Sequence, residues 1–222
     1  METLILGIDD AGRGPVIGPM VLAGCLLDRT TELEFKKLGV KDSKELTPKR
    51  REHLVNIIKE KSITFEIELA FPNEIDNKLL GNLNTLEAKK ISSIINKINK
   101  GFGKIKVVVD CPSINISKWT DELKTKIENL SNLEIVCEHK ADRNHVAVSA
   151  ASIIAKHIRE KEMDKLREKY GKGIGSGYSS DPITKKFLDE NSTKHLNDGI
   201  FRHSWGTMKN LIAEKEQKKL SF

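Results

Sequence analysis

Leu4-Ile5-Leu6-Gly7-Ile8-Asp9-Asp10-Ala11-Gly12-Arg13-Gly14-Pro15 opens the chain with an apolar run that stops at two adjacent acids and passes into an arginine flanked by glycines. A short Leu/Ile run reads as a buried strand, so Asp9 and Asp10 are expected where that strand leaves the core. Asp and Gly are also common turn formers, and alone the stretch reads equally well as a turn. Two later runs decide between these readings. Ile105-Lys106-Val107-Val108-Val109 ends in Asp110, and Leu133-Glu134-Ile135-Val136-Cys137 leads, five residues on, to Asp142. In open sheets, ligands bind in the crevice outside the carboxyl ends of parallel strands. Asp9, Asp10, Asp110 and Asp142 are therefore expected to converge there.

Outward from these runs, Met20 to Leu27 and Ile63 to Leu69 also read as strands, with a Lys/Glu-rich helix from Pro48 to Lys61 between them. From Asn82 helix alternates with strand. Leu83, Leu86, Ile91, Ile94, Ile95 and Ile98 recur at helical spacing, and a further helix is expected from about Ser117 to Leu130. Early strands followed by αβαβα predict an α/β fold, a mixed five-stranded sheet flanked by helices with its parallel part in the second half. The 222 residues are expected to form one domain, with a helical C-terminal extension from about residue 182.

Mean hydropathy is −0.41, and no apolar run approaches the length of a membrane span. The apolar residues at the N-terminus lead straight into acids rather than a cleavage signal, so a cytoplasmic protein is expected. Cys25, Cys111 and Cys137 have no Cys-x-x-Cys spacing, and the six histidines lack paired ligand spacing. Buried thiols and a hard metal held by carboxylates are the expectation. A formal charge of +6 places the acid cluster in a generally basic protein, which attracts polyanions while the acids take divalent cations.

A helix beginning near His145 is rich in small residues, with Val146, Ala150 and Ile154 on one stripe suited to close packing on a sheet. From Lys156 through His157, Arg159, Lys161, Lys165, Arg167 and Lys169 it turns basic, the pattern of a solvated face. Gly171 to Ser180 reads as a loop that carries Tyr178 outward, and Asp181-Pro182 as the start of the next helix. The loop lacks the Gly-Lys-Ser/Thr ending of a nucleotide-binding P-loop.

Taken together, the motifs point to a family. Gly7-Ile8-Asp9-Asp10-Ala11-Gly12-Arg13-Gly14-Pro15-Val16-Ile17-Gly18-Pro19 closely resembles the opening of type 2 ribonucleases H (ribonuclease HII) of the archaeal kind. Asp42-Ser43-Lys44-Glu45-Leu46, Lys140-Ala141-Asp142 with Val148 to Lys156, Gly177 to Pro182, and His203-Ser204-Trp205 resemble its further signatures in order. The resemblance implies a ribonuclease H-like fold, acting as a monomer. It also implies endonucleolytic cutting of RNA in RNA/DNA hybrids and at single ribonucleotides embedded in duplex DNA, leaving 5′-phosphate and 3′-hydroxyl ends. It further implies metal-binding catalytic acids at Asp9, Asp10, Asp110 and Asp142. Gly12, Arg13 and Gly14 would contact the backbone around the scissile ribonucleotide, Tyr178 the sugar at the RNA-to-DNA junction, and Lys44 and Lys156 the nucleic-acid backbone. Two Mg²⁺ or Mn²⁺ ions about 4 Å apart suit such chemistry, one side ionising a water and the other stabilising the leaving oxygen.

One position departs from the family pattern. Asp10 stands where the family usually has Glu, shorter by one methylene, which leaves as a rival a catalytically impaired hybrid-binding protein that still grips its substrate. The tail Gln217-Lys218-Lys219-Leu220-Ser221-Phe222 resembles a sliding-clamp peptide, with the spacing one residue short and one aromatic missing.

Overall fold

The computed structural model describes residues 3–40 and 46–220, without the side chains of residues 218–220. The sheet has five strands in the order β3 (Thr64–Ala70), β2 (Met20–Leu27), β1 (Leu4–Ala11), β4 (Ile105–Asp110), β5 (Leu133–Glu138). β1 pairs antiparallel with β2 and parallel with β4, and β4 is parallel to β5. This is the mixed sheet that the sequence predicts, except that its parallel part is not confined to the second half of the chain: β1 joins β4 and β5, so three parallel strands end on the same side. β1 is longer than its apolar run. It continues through both acids because pairing with β2 persists through Asp9 with Ala23, Asp10 with Leu22 and Ala11 with Val21. Asp9 and Asp10 are therefore strand residues, held by a ladder, rather than the first residues of a turn.

The chain divides into two compact units. The first comprises residues 1–11, 21–69 and 82–158. It contains the helices α1 (Arg29–Lys37), α2 (Pro48–Lys61), α4 (Leu83–Ile98), α5 (Ile116–Lys124) and α6 (Ala141–Asn144), and the first half of α7 (Val146–Tyr170). Successive strand residues face opposite sides of a sheet. Ala11, Val21, Ala23, Cys25 and Leu27 form one buried cluster with Ala147, Ala150, Ala151 and Ile154 of α7. Gly7 permits this contact, since a Cβ there would lie 2.0 Å from the backbone carbon of Ala147. On the other face α4 presents Ile94 to Gly24. The sequence reading of α4 and α2 holds to within a residue or two. α5 ends well before Leu130, because the chain tightens there into i→i+3 bonds at Lys126 and Ile127.

The second unit comprises residues 12–20, 70–81 and 159 onward. It holds α3 (Pro72–Ile75), the second half of α7, α8 (Pro182–Asn191) and α9 (Gly206–Leu220), so the C-terminal region is helical as expected. Its core joins residues from distant parts of the chain: Val16 and Ile17 pack with Met163, Ile174, Phe187, Phe201 and Met208. Asp181 caps α8, its carboxylate accepting from the Ser176 and Ile183 amides at 2.8 and 2.9 Å. Those donors hold its pKa down to about 2. No helix among the described residues is long and apolar enough to cross a membrane. Cys25 and Cys111 are buried and Cys137 half-buried, all as free thiols.

Candidate active site

The four acids all belong to the first unit. The last β1–β4 pair is Ile8 with Val109, so Asp9 and Asp110 are the next residues along two adjacent parallel strands. Asp9 is only 7% exposed. Its carboxylate accepts from the Asp10 amide at 2.7 Å and from Ser152 on α7. Asp110, the last residue of β4, accepts from the Ala141 amide at 3.3 Å. Asp142 lies in α6 and is 5% exposed, with the Ser149 hydroxyl donating to its carbonyl. α6 follows Lys140, the one non-glycine among the described residues with a left-handed backbone (φ 58°). Asp142 is thus held by a tight corner and a serine, which goes beyond a favourable charge at a helix start.

These carboxylates feel one another. Burial, then Asp10, then Asp110 raise the pKa of Asp9 well above the usual carboxylate range, against the donors Ser152 and the Asp10 amide. Asp110 is raised by burial and by Asp142, against the Ala141 and Lys140 amides. Among the described residues, no three Asp, Glu, His or Cys side chains come close enough to share one ion. Mg²⁺ usually keeps several waters and takes only one or two carboxylates, so acids that interact pairwise suit it. Buried oxygen donors that repel each other are the chemistry that a divalent cation offsets, and the donor set fits such an ion. Lys156 lies one helical turn beyond Ser152 on α7 and is half-buried. Lys44 falls outside the described residues.

The glycine loop and Tyr178 belong to the second unit. Gly12 is buried, Arg13 partly exposed and Gly14 exposed. Gly12 has φ +85°, and a Cβ there would lie 2.3 Å from Nε of Arg159, so only glycine fits. Tyr178 is 40% exposed, its ring 5.3 Å from the guanidinium carbon of Arg159. A Cβ on Gly14 would be 3.6 Å from the Tyr178 ring, so the loop and the tyrosine are neighbours. Arg159 corrects the sequence reading of a solvated basic face. It is 7% exposed and donates to the Ser176 carbonyl at 3.1 Å. Burial lowers its pKa. Charge alone does not distinguish an arginine that stacks beneath an aromatic from one that points to water.

Sequence reasoning also missed Ser152 and Ser149, which read only as small packing residues, and Arg202, which is fully buried and hydrogen-bonded to the glycine loop. Within the second unit, Asp76 anchors the residues after Arg202, accepting from the His203 and Ser204 amides at 2.6 and 2.9 Å.

Comparison with known proteins gives a consistent result. The family model described as Ribonuclease HII matches residues 6–208. Ribonuclease HII of Methanococcus maripaludis is 42% identical over 221 residues, covering 98% of this chain and 90% of that protein. Ribonuclease HII of Methanocaldococcus jannaschii is 41% identical over 232 residues, covering 98% of each. Among solved structures, the ribonuclease H2 of Pyrococcus horikoshii superposes with a TM-score of 0.84 at 36% identity, covering 94% of this chain and 97% of that one. A PCNA:RNase HII complex from Archaeoglobus fulgidus gives a TM-score of 0.79 at 36% identity, covering 91% and 95%.

Proposed function

Since the chain belongs to the ribonuclease HII family, and so is a metal-dependent endonuclease of the type 2 ribonuclease H class, we propose that it cuts the RNA strand of RNA/DNA hybrids and also single ribonucleotides embedded in duplex DNA. The observation that carries this reading is Asp9, buried on β1 beside Asp10 and Asp110 with a raised pKa. A carboxylate kept under that repulsion is costly to the fold and useful to a cation. Asp9, Asp10, Asp110 and Asp142 would hold two Mg²⁺ or Mn²⁺ ions. Such ions, when bound, activate a water at neutral pH and stabilise the departing 3′ oxygen. The protein's share is to fix the acids: β1 and β4 set Asp9 and Asp110 side by side, Ser152 orients Asp9, and the α6 corner fixes Asp142.

Recognition of the ribonucleotide falls to the glycine loop and Tyr178. Exposed Gly14 lacks a side chain that would keep a backbone from close approach, buried Gly12 lets the loop close over Arg159, and contact with the 2′-hydroxyl is what distinguishes RNA from DNA at a site. The half-exposed ring of Tyr178 offers a flat face for a sugar. Lys44 and Lys156 would contact the phosphate backbone. Asp10 remains a ligand in this reading despite its shorter side chain.

The test is a labelled duplex DNA containing one ribonucleotide, with an all-DNA control, incubated with Mg²⁺, Mn²⁺ or EDTA. Cutting only at the ribonucleotide and only with metal is the expected result. Binding without cutting under either metal would favour the hybrid-binding rival. Asp10→Asn should lower turnover by roughly 100-fold or more, given that even groups supporting metal ligands are worth about 10–100-fold. Unchanged turnover would remove Asp10 from the ligand set.

We also propose that the tail from Gln217 binds a sliding clamp. Support comes from its likeness to a clamp peptide and from the structurally similar PCNA:RNase HII complex. The tail's last residues fall outside the described part of the chain. A clamp pull-down that survives deletion of residues 217–222 would rule this out.

A further inference from the structure

Arg202 has 0% exposure, and burying a guanidinium is costly unless its donors are satisfied. Here four hydrogen bonds go to one short segment of backbone. Nη2 donates to the Gly12 carbonyl at 2.6 Å, Nη1 to the Arg13 carbonyl at 2.8 Å, and Nε and Nη2 to the Gly18 carbonyl at 3.1 and 3.0 Å. The Trp205 ring lies 5.0 Å from the guanidinium carbon, and its Nε1 donates to the Gly14 carbonyl at 3.0 Å. The carbonyls of residues 12, 13 and 14 are therefore all held by residues 202 and 205, about 190 positions away.

This arrangement has a geometric consequence. Peptide bonds are planar, and none of those described is cis, so each N–H points opposite the C=O of its own peptide unit. Holding the Gly12 and Arg13 carbonyls turns the N–H groups of Arg13 and Gly14 the other way. The peptide after Gly14 offers no donor, because residue 15 is proline. Two successive N–H groups aimed one way form a concavity suited to oxygen ligands such as a phosphate oxygen or a hydroxyl.

We propose that Arg202, with Trp205, is the positioning residue for ribonucleotide recognition, aiming the Arg13 and Gly14 N–H groups at the substrate by holding the loop's carbonyls from behind. This rests on the reading above that the loop contacts the ribonucleotide. Arginine is needed because its planar fork reaches several carbonyls at once, whereas lysine supplies one compact charge. The Asp76 carboxylate, holding the His203 and Ser204 amides, keeps the turn after Arg202 in place.

The test compares Arg202→Lys, Trp205→Phe and Gly14→Ala with the wild type. Trp205→Phe keeps an aromatic ring over the guanidinium and removes only the donor to Gly14, so it decides the matter if Arg202→Lys does not fold. Gly14 lies outside the left-handed region and its Cβ would have ordinary room, so Gly14→Ala tests the loop directly. Two quantities are measured on folded protein: KM and kcat on the single-ribonucleotide duplex, and the ratio of Kd values for that duplex and an all-DNA duplex in EDTA.

The expected result for Arg202→Lys and Trp205→Phe is a KM raised roughly tenfold, the size of one lost hydrogen bond to a substrate-facing group, with kcat little changed. The Kd ratio should move toward one. If Gly14→Ala collapses the ratio while both other variants leave it intact, the proposal is overturned and the loop reading stands. If all three leave the ratio intact, the loop reading falls and the proposal with it. A loss of melting temperature and kcat together, with the ratio preserved, would mark Arg202 as merely structural and also overturn the proposal.

Discussion

Gly7→Ala is expected to destabilise the protein by about 3 kcal/mol, the upper end of the usual cost of overpacking, and to cut metal-dependent cleavage with it. The added Cβ would lie 2.0 Å from the Ala147 carbon, 2.2 Å from the Val148 nitrogen and 2.4 Å from the Ala147 oxygen. All three are backbone atoms of α7, so no side chain can swing aside and the helix itself must lift. Alanine would gain about 0.5–1 kcal/mol from reduced backbone entropy in the unfolded chain, too little to offset the overlap. Lifting α7 also withdraws Ser152 from Asp9 and strains the corner that carries Asp142. A melting temperature lower by roughly 10 °C, read by circular dichroism, is the expected signal for a chain of this size. Gly24→Ala is the comparison. Its Cβ would meet the Cγ2 methyl of Ile94 at 2.4 Å, a side-chain atom rather than helix backbone, so the cost should be smaller although the β-branched side chain is stiff. Equal melting temperatures for Gly7→Ala and wild type would contradict this account of how α7 meets the sheet.

Asp9→Asn should separate stability from activity. Asparagine keeps an oxygen to accept from the Asp10 amide and removes a buried charge that burial, Asp10 and Asp110 all disfavour. In EDTA the variant should therefore melt higher than wild type, within the range of about 0.5–2 kcal/mol common for single stabilising changes. Turnover with Mg²⁺ or Mn²⁺ should fall by roughly 100-fold or more, since a lost ligand should cost at least as much as a lost supporting group. The pair of measurements matters more than either alone. A variant that melts lower and still cuts would mean that Asp9 is a structural acid held by Ser152 rather than a site acid held ready for a cation.

Much of this was legible in the chain. The strands β1, β2 and β4 are apolar runs whose burial leaves little choice, and the acids at the ends of β1 and β4 mark a candidate site by topology. What could not be read falls into two kinds. Continuation of β1 through Asp9 and Asp10 depends on a partner strand, because pairing with β2 overrides the weak strand preference of aspartate. α1 escaped notice because it is short and mostly polar, with only Leu33 and Phe35 as apolar side chains and only Phe35 buried. Arg159 and Arg202 escaped for another reason. Their partners are backbone carbonyls and aromatic faces, which leave no charge complement in the sequence, so a buried arginine there looks like any basic residue. Only spatial closure of the loop against Phe201-Arg202 gives either its meaning.

That closure also orders events during synthesis. Residues 4–11 and 105–110, with the acids they carry, can pair as soon as both segments have been made. The glycine loop must wait, because the guanidinium that fixes its carbonyls lies 190 residues downstream of Gly12. A ribosome that stalls before Arg202 releases a polypeptide with all four carboxylates and an unbraced loop. In the reading proposed above, such a product would keep the acids that hold cations without the braced loop that chooses what to cut, so quality control of this enzyme has most at stake in the segment around Arg202.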